Sequence, residues 1–190
     1  SASEDGKTDA YYFLEFNANK KSITLDLKSQ RGLATVKELA KKLIHDQNLA
    51  PGTIERLGLG YDVIKAINPG IIYIRIKGFS VGSRYVKFAS FDMAGQATGG
   101  TMGITGEADG MPLKPGPTLG DTGTGMLATI SILSALYKKK DTGEGQHIQL
   151  RDAGRYDPTL PDGAVGAISD GKAADRAGSV SGGNALMGLL

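Results

Sequence analysis

Three stretches of the sequence hold residues able to do chemistry. Asp121 lies in TLGDTGTGML (118–127), between glycines and just ahead of a long apolar run. If a helix starts there, the carboxylate sits at the positive end of the helix dipole, beside backbone N–H groups the helix leaves unpaired. Such surroundings keep an aspartate ionised and able to attack a carbonyl carbon. Gly120, Gly123 and Gly125 leave room for a bulky acyl group, and the free N–H groups offer donors to a developing oxyanion. The same position also suits a helix-capping aspartate with no chemistry to perform.

The second stretch is GFSVG (78–82), which matches the G-x-S-x-G elbow of a serine hydrolase and would make Ser80 a nucleophile. That motif needs a helix directly after the serine, and VGSRYVKFASFD has no helical spacing. Glycine occurs 28 times in the chain, so a chance match is expected. His147, available downstream as a partner, opens a strand directly after a Gly-x-Gly turn. The plainer reading is a strand-to-loop turn in which glycine permits the bend. The third feature is basic: Lys20 and Lys21 in NANKKS, Arg56 in ERLG and Lys77 at a strand end together suit phosphates. Scattered cations are more often a solvated face.

The elements that must position these residues follow from periodicity. KKSITLDLKS (20–29) alternates apolar Ile23, Leu25 and Leu27 with polar neighbours, which predicts a strand with one wet face. SQRGLATVKELAKKLI spaces Leu33, Val36, Leu39, Ala40 and Leu43 as a helix, with Ser29 placed to cap it. Short helices are expected around Thr53–Leu57 and Tyr61–Ile67, the latter stopped by Asn-Pro-Gly. IIYIRIKGF reads as a buried strand, and the glycine-dense 95–125 as loops lining a site. GMLATISILSALYKKK (125–140) is an amphipathic to fully buried helix whose terminal lysines favour its negative end, and HIQLRD is a short strand. A helix followed by a buried strand implies an α/β fold with a Rossmann-like parallel sheet and flanking helices. Residues 1–10 read as a flexible lead-in, 11–153 as the folded portion and 154–190 as a loop-rich linker.

Composition excludes several functions. The 190-residue chain is 40% hydrophobic, enough for one sizeable core. With no cysteine, disulfides, thiolate metal sites and cysteine nucleophiles are out, and the two histidines, His45 and His147, leave little for a metal site; no metal is expected. A net charge of +2 demands neither nucleic acid nor an anionic membrane. With no secretion-like start and no apolar run of membrane-spanning length, the expected location is cytoplasmic.

Four segments in register resemble the class III CoA-transferases, the group of the formyl-CoA:oxalate, carnitine and succinyl-CoA:benzylsuccinate enzymes, with α-methylacyl-CoA racemase as a relative. They are NANKKSITLDLKS, QNLAPGTIERLGLGYDVIKAINPGIIYIRIKGF, FDMAGQATGGTMGITGEADGMPLKPGPTLGDTGTGM and ALYKKKDTGEGQHIQLRDA. The resemblance implies that Asp121 is a nucleophile forming an aspartyl-CoA thioester. It implies CoA contacts at Lys20, Lys21, Asn48, Arg56 and Lys77, and places Gln96, Gly99, Gly100 and Gly123 on the acyl side. Coenzyme A as substrate thioester, a carboxylic acid acceptor and a homodimer come with it.

The racemase places a histidine immediately before the aspartate matching Asp92; Phe91 stands there, which favours transfer over an isomerase. Members of the family are longer than this chain, so the 190 residues are expected to be a nucleophile-bearing central portion. Two departures stand out: HD is too short for the strand usual before QNLAPG, and Leu49 replaces a common aromatic. A non-catalytic CoA-binding subunit is the remaining alternative.

Overall fold

The structure, a computed structural model, describes residues 11–79 and 83–151. Its elements are α1 (Tyr11–Asn17), α2 (Gln30–Ala40), β1 (His45–Gln47), α3 (Thr53–Arg56), α4 (Tyr61–Ile67), β2 (Ile72–Lys77), α5 (Asp92–Thr98), α6 (Leu119–Thr142) and β3 (Gln146–Arg151). The strands form one parallel sheet in the order β1-β2-β3, with His45 opposite Tyr73 and Tyr73 opposite His147. This is the α/β architecture expected from the helix-strand alternation.

β2 is the middle strand, and its β-branched run is buried on both faces. On one face Tyr73 packs with Ala40, Ile54, Leu59, Ile64 and Ile71 beneath α2, α3 and α4. On the other, Ile72 and Ile74 pack with Ile148 of β3 and Ala135 of α6. A continuous apolar strand is what a parallel sheet covered on both sides requires. Across the first face His45 stacks on Tyr73 at 4.5 Å and Tyr61 stacks on His147 at 4.2 Å, so a layer of rings spans all three strands.

Helix ends follow their capping chemistry. The Ser29 hydroxyl accepts from the Gly32 N–H at 3.0 Å, starting α2 where the sequence places its cap. Asn68 ends α4 and its side-chain amide donates to the Ala40 carbonyl at 2.9 Å, tying α4 to the end of α2. Gly143, at φ 70°, closes α6 with its N–H on the Lys139 carbonyl.

Three expectations change. The predicted strand over 20–29 does not form: 21–26 carry no regular structure, Ile23 is 61% exposed, and among the described residues the segment pairs with no strand. HD is too short for a strand by itself, yet His45–Gln47 pairs with β2, borrowing Gln47 from the next segment. The glycine-dense region is not all loop. It takes in the last turn of α5, and α6 begins at Leu119 rather than near Gly125. Ser80, the lead-in 1–10 and the linker 154–190 lie outside the described residues.

Ile74 is fully buried at the centre of β2. Ile74→Ala should lower unfolding free energy by about 2–5 kcal/mol, read as a shifted urea midpoint at unchanged slope. A change below about 0.5 kcal/mol would mean that this strand is not the core.

Candidate functional site

The direction of α6 decides which end of the sheet its N-terminus meets. Gly70, just ahead of β2, lies against Lys139 and the Gly143 carbonyl, so the C-terminal end of α6 sits where β2 begins. The helix therefore runs antiparallel to β2, and its N-terminus points to the carboxyl ends of the strands. In open α/β sheets that is the end where ligands bind. At the same end a Cβ on Gly78 would fall 2.2 Å from that of Ser90, so glycine there lets the chain return beside β2 immediately before α5.

Asp121 does not cap α6. Thr118 occupies the N-cap position without a side-chain bond, and Asp121 lies inside the first turn. The cap comes from across space. Asp92, at the head of α5, accepts the Gly120 N–H at 2.9 Å. Gly120 permits the approach, since a Cβ there would stand 2.9 Å from the Asp92 carbonyl oxygen. The Leu119 N–H donates to Pro117 O at 3.0 Å and the Thr122 N–H to Thr118 O at 2.8 Å. The N–H groups of Leu119, Gly120 and Thr122 are thus engaged and are not free to meet an oxyanion.

Asp92 is itself held in place. The Gln96 amide, 2% exposed, donates to both carboxylate oxygens at 3.0 and 2.9 Å and to Pro117 O at 3.2 Å. The Lys114 ammonium stands 3.5 Å from Asp92 Oδ2 and donates to Pro115 O at 2.9 Å. Burial disfavours the Asp92 charge, but the bonds from Gln96 and Gly120, the Lys114 charge and the Asp121 N–H outweigh it and hold its carboxyl below the ordinary value. Asp121 moves the other way: partial burial of its carboxyl raises its pKa, and the negative charge of Asp92 adds to the rise. Burial and the Asp92 charge thus work against the helix dipole at Asp121.

The remaining expected residues are distributed over the same fold. Gln96, assigned to the acyl side, is packed against Asp92, one link from Asp121. Gly99 ends α5, Gly100 follows it at φ 87°, and a Cβ on Gly123 would meet open space. Lys77, at the carboxyl end of β2, is buried and donates to Leu49 O and to Gln47 Oε1, joining the ends of β1 and β2 beside exposed Asn48. Burial and then Arg75 lower its pKa, with Glu55 opposing. Lys20, just beyond α1, bonds back to Phe16 O and Asn17 Oδ1, Arg56 donates to Thr53 Oγ1 at 2.9 Å, and Lys21 is exposed. None of these contacts joins a cation to Asp121.

A cavity of about 420 Å³, lined by Tyr61, Tyr73, Arg75 and His147 among others, opens beneath α3 and α4 and does not include Asp121. His147 there is stacked on Tyr61, with its pKa lowered by burial and then by Arg75, and raised in part by Asp62. Among the described residues no group of three or more His, Asp or Glu side chains could hold a metal, and no helix is long and apolar enough to cross a membrane.

Comparison with known proteins settles the relationship. The family model described as CoA-transferase family III matches residues 2–189. The chain belongs to that family. It is similar to the formyl-CoA:oxalate CoA-transferase of Streptomyces coelicolor, 43% identical over 143 residues, covering 75% of this chain and 35% of that protein. The Bradyrhizobium sp. protein of the same name is 38% identical over 193 residues, covering 92% of this chain and 45% of its own. Among solved structures, a CAIB/BAIF family protein from Brucella suis superposes with a TM-score of 0.83 at 35% identity, covering 90% of this chain and 46% of that one. The chain thus spans between about a third and a half of the length of these family III relatives.

Asp92 and Asp121 contribute to stability with opposite signs. A depressed folded pKa, as at Asp92, gives stability that is present above the unfolded value of 3.8 and lost as pH falls through the folded value. A raised one, as at Asp121, costs stability once the group ionises above 3.8, and the cost disappears on acidification. Asp121→Asn should therefore melt higher than wild type at pH 7 and lose that advantage at about pH 3. Equal or lower melting at pH 7 would contradict the reading.

Proposed function

We propose that this chain is the nucleophile-bearing portion of an acyl-CoA:carboxylate CoA-transferase acting through Asp121. The observation that carries the reading is the place of Asp121: the first turn of a helix whose N-terminus meets the carboxyl ends of the strands, in a chain of family III. The raised pKa supports it as well, since a more basic carboxylate is a stronger nucleophile once ionised.

The chemistry divides into exchanges at carbonyl carbon. The Asp121 carboxylate attacks the thioester carbonyl of the donor, the C–S bond breaks, and a mixed anhydride and CoA thiolate result. The thiolate then attacks the aspartyl carbonyl, forming the aspartyl-CoA thioester and releasing the donor acid as its carboxylate. An acceptor carboxylate attacks that thioester, CoA leaves again as thiolate, and its attack on the acceptor acyl carbon yields the new acyl-CoA and restores Asp121. Every bond made is matched by one broken, so no redox partner is needed.

In this reading Lys20, Lys21, Asn48, Arg56 and Lys77 serve CoA, and Gln96, Gly99, Gly100 and Gly123 border the acyl group. Family resemblance supports those roles. Lys77 would have to leave its Leu49 carbonyl to reach a phosphate, or act by holding the segment of Asn48. A homodimer belongs to the same proposal. Phe91 has no titratable group, which favours transfer over proton abstraction next to the thioester carbonyl.

The names of the curated relatives direct the first assay to formyl-CoA as donor and oxalate as acceptor. In the full-length protein, Asp121→Ala should cut CoA exchange by roughly 1,000-fold or more while the variant remains folded. Exchange at the wild-type rate would remove Asp121 from the mechanism.

A further inference from the structure

We propose that Asp92 is the positioning residue of this site: it clamps the α6 turn that carries Asp121 from a neighbouring helix and sets the charge that Asp121 feels. The proposal rests on Asp121 being the nucleophile and goes beyond it, because Asp92 acts through Asp121 and need touch no substrate.

The geometry is specific. α5 and α6 are separate helices joined by a long glycine-rich segment, so nothing local in the chain fixes one against the other. The link is made by a carboxylate that is 8% exposed as a residue and accepts from Gly120 and twice from Gln96. Glycine at 120 suits that approach, since a side-chain carbon there would stand 2.9 Å from the Asp92 carbonyl oxygen and 3.2 Å from Asp92 Oδ1. Gln96 also reaches Pro117 O at 3.2 Å, so one amide steadies both the cap and the segment that leads into α6.

Two effects follow for Asp121. Its backbone is held through the neighbouring Gly120, whose N–H donates to Asp92 at 2.9 Å, which restricts where the Asp121 carboxylate can point. Its pKa is raised first by partial burial and then by the Asp92 anion of α5, itself paired at 3.5 Å with the Lys114 cation of the preceding segment. Removing the anion should make Asp121 more acidic and a weaker nucleophile at neutral pH.

The test uses the full-length protein, Asp92→Asn as the isosteric change, and Gly120→Ala as a change that keeps every charge but pushes Asp92 from the helix end. The Asp121 carboxyl is followed by carbon NMR, assigned by its loss in Asp121→Asn, alongside the pH profile of kcat/KM. We expect Asp92→Asn to move the Asp121 midpoint to lower pH, with the acid limb of kcat/KM following, and to lower kcat by on the order of 10- to 100-fold with little change in KM. Gly120→Ala should lower kcat similarly. An unmoved midpoint with unchanged kcat in Asp92→Asn overturns the proposal, and so does a moved midpoint with unchanged kcat. Should Asp92→Asn fail to fold, wild-type kcat in Gly120→Ala overturns it alone. Full exchange in Asp121→Ala would instead overturn the nucleophile reading, an outcome that neither other variant can mimic.

Discussion

A helix leaves its first N–H groups without intrahelical partners, and how α6 satisfies them shapes the whole site. The carboxylate of Asp92 takes that of Gly120 and the Pro117 carbonyl that of Leu119, after which Thr122 begins the helix's own ladder on Thr118 O. A buried carboxylate is stable only when its oxygens are this well supplied with donors. Because Asp92 fills the cap, Asp121 is released from the structural duty its sequence position suggests. It stands instead as a second carboxylate, beside a first that is already satisfied, and this pushes its own pKa upward.

That arrangement depends on the sheet behind it. β2 buries Ile72 and Ile74 against α6 and Tyr73 against α2, α3 and α4, so both helical layers register on one strand. The packing of Ala135 on the sheet and of Gly70 against Lys139 sets the helix antiparallel to β2. With a 24-residue helix over six-residue strands, the N-terminal turns of α6 extend past the sheet, where α5 meets them. The apolar core thereby delivers Asp121 to the strand ends, while the ring-lined cavity under α3 and α4 belongs to the other face.

The sequence makes some of this legible and hides the rest for physical reasons. Tyr61–Ile67 and IIYIRIK declare themselves because their signals are local: helical spacing with an Asn-Pro-Gly stop, and a β-branched run. KKSITLDLKS misleads because alternation reports only that one face is wet, not that an edge is present to pair with. Glycine density around 95–125 conceals α5 and the first turn of α6, since Gly120 is kept by the contact with Asp92 and not by a loop. Asp121 is visible in the sequence, but through family resemblance as much as local pattern. Its partnership with Asp92 is not, because the contact between Asp92 and Gly120 spans 28 residues and no periodicity connects them. The only clue is the Asp92–Gln96 spacing of one helical turn.

The central claim is that the Asp121 carboxylate carries CoA during turnover. Peptide mass spectrometry of the full-length protein, quenched during turnover with an acyl-CoA donor, tests it most directly. The account predicts a CoA adduct on the peptide containing Asp121, lost on adding acceptor acid and converted to a hydroxamate by hydroxylamine. Turnover with no adduct or hydroxamate on that peptide, or with one on another residue, would contradict it.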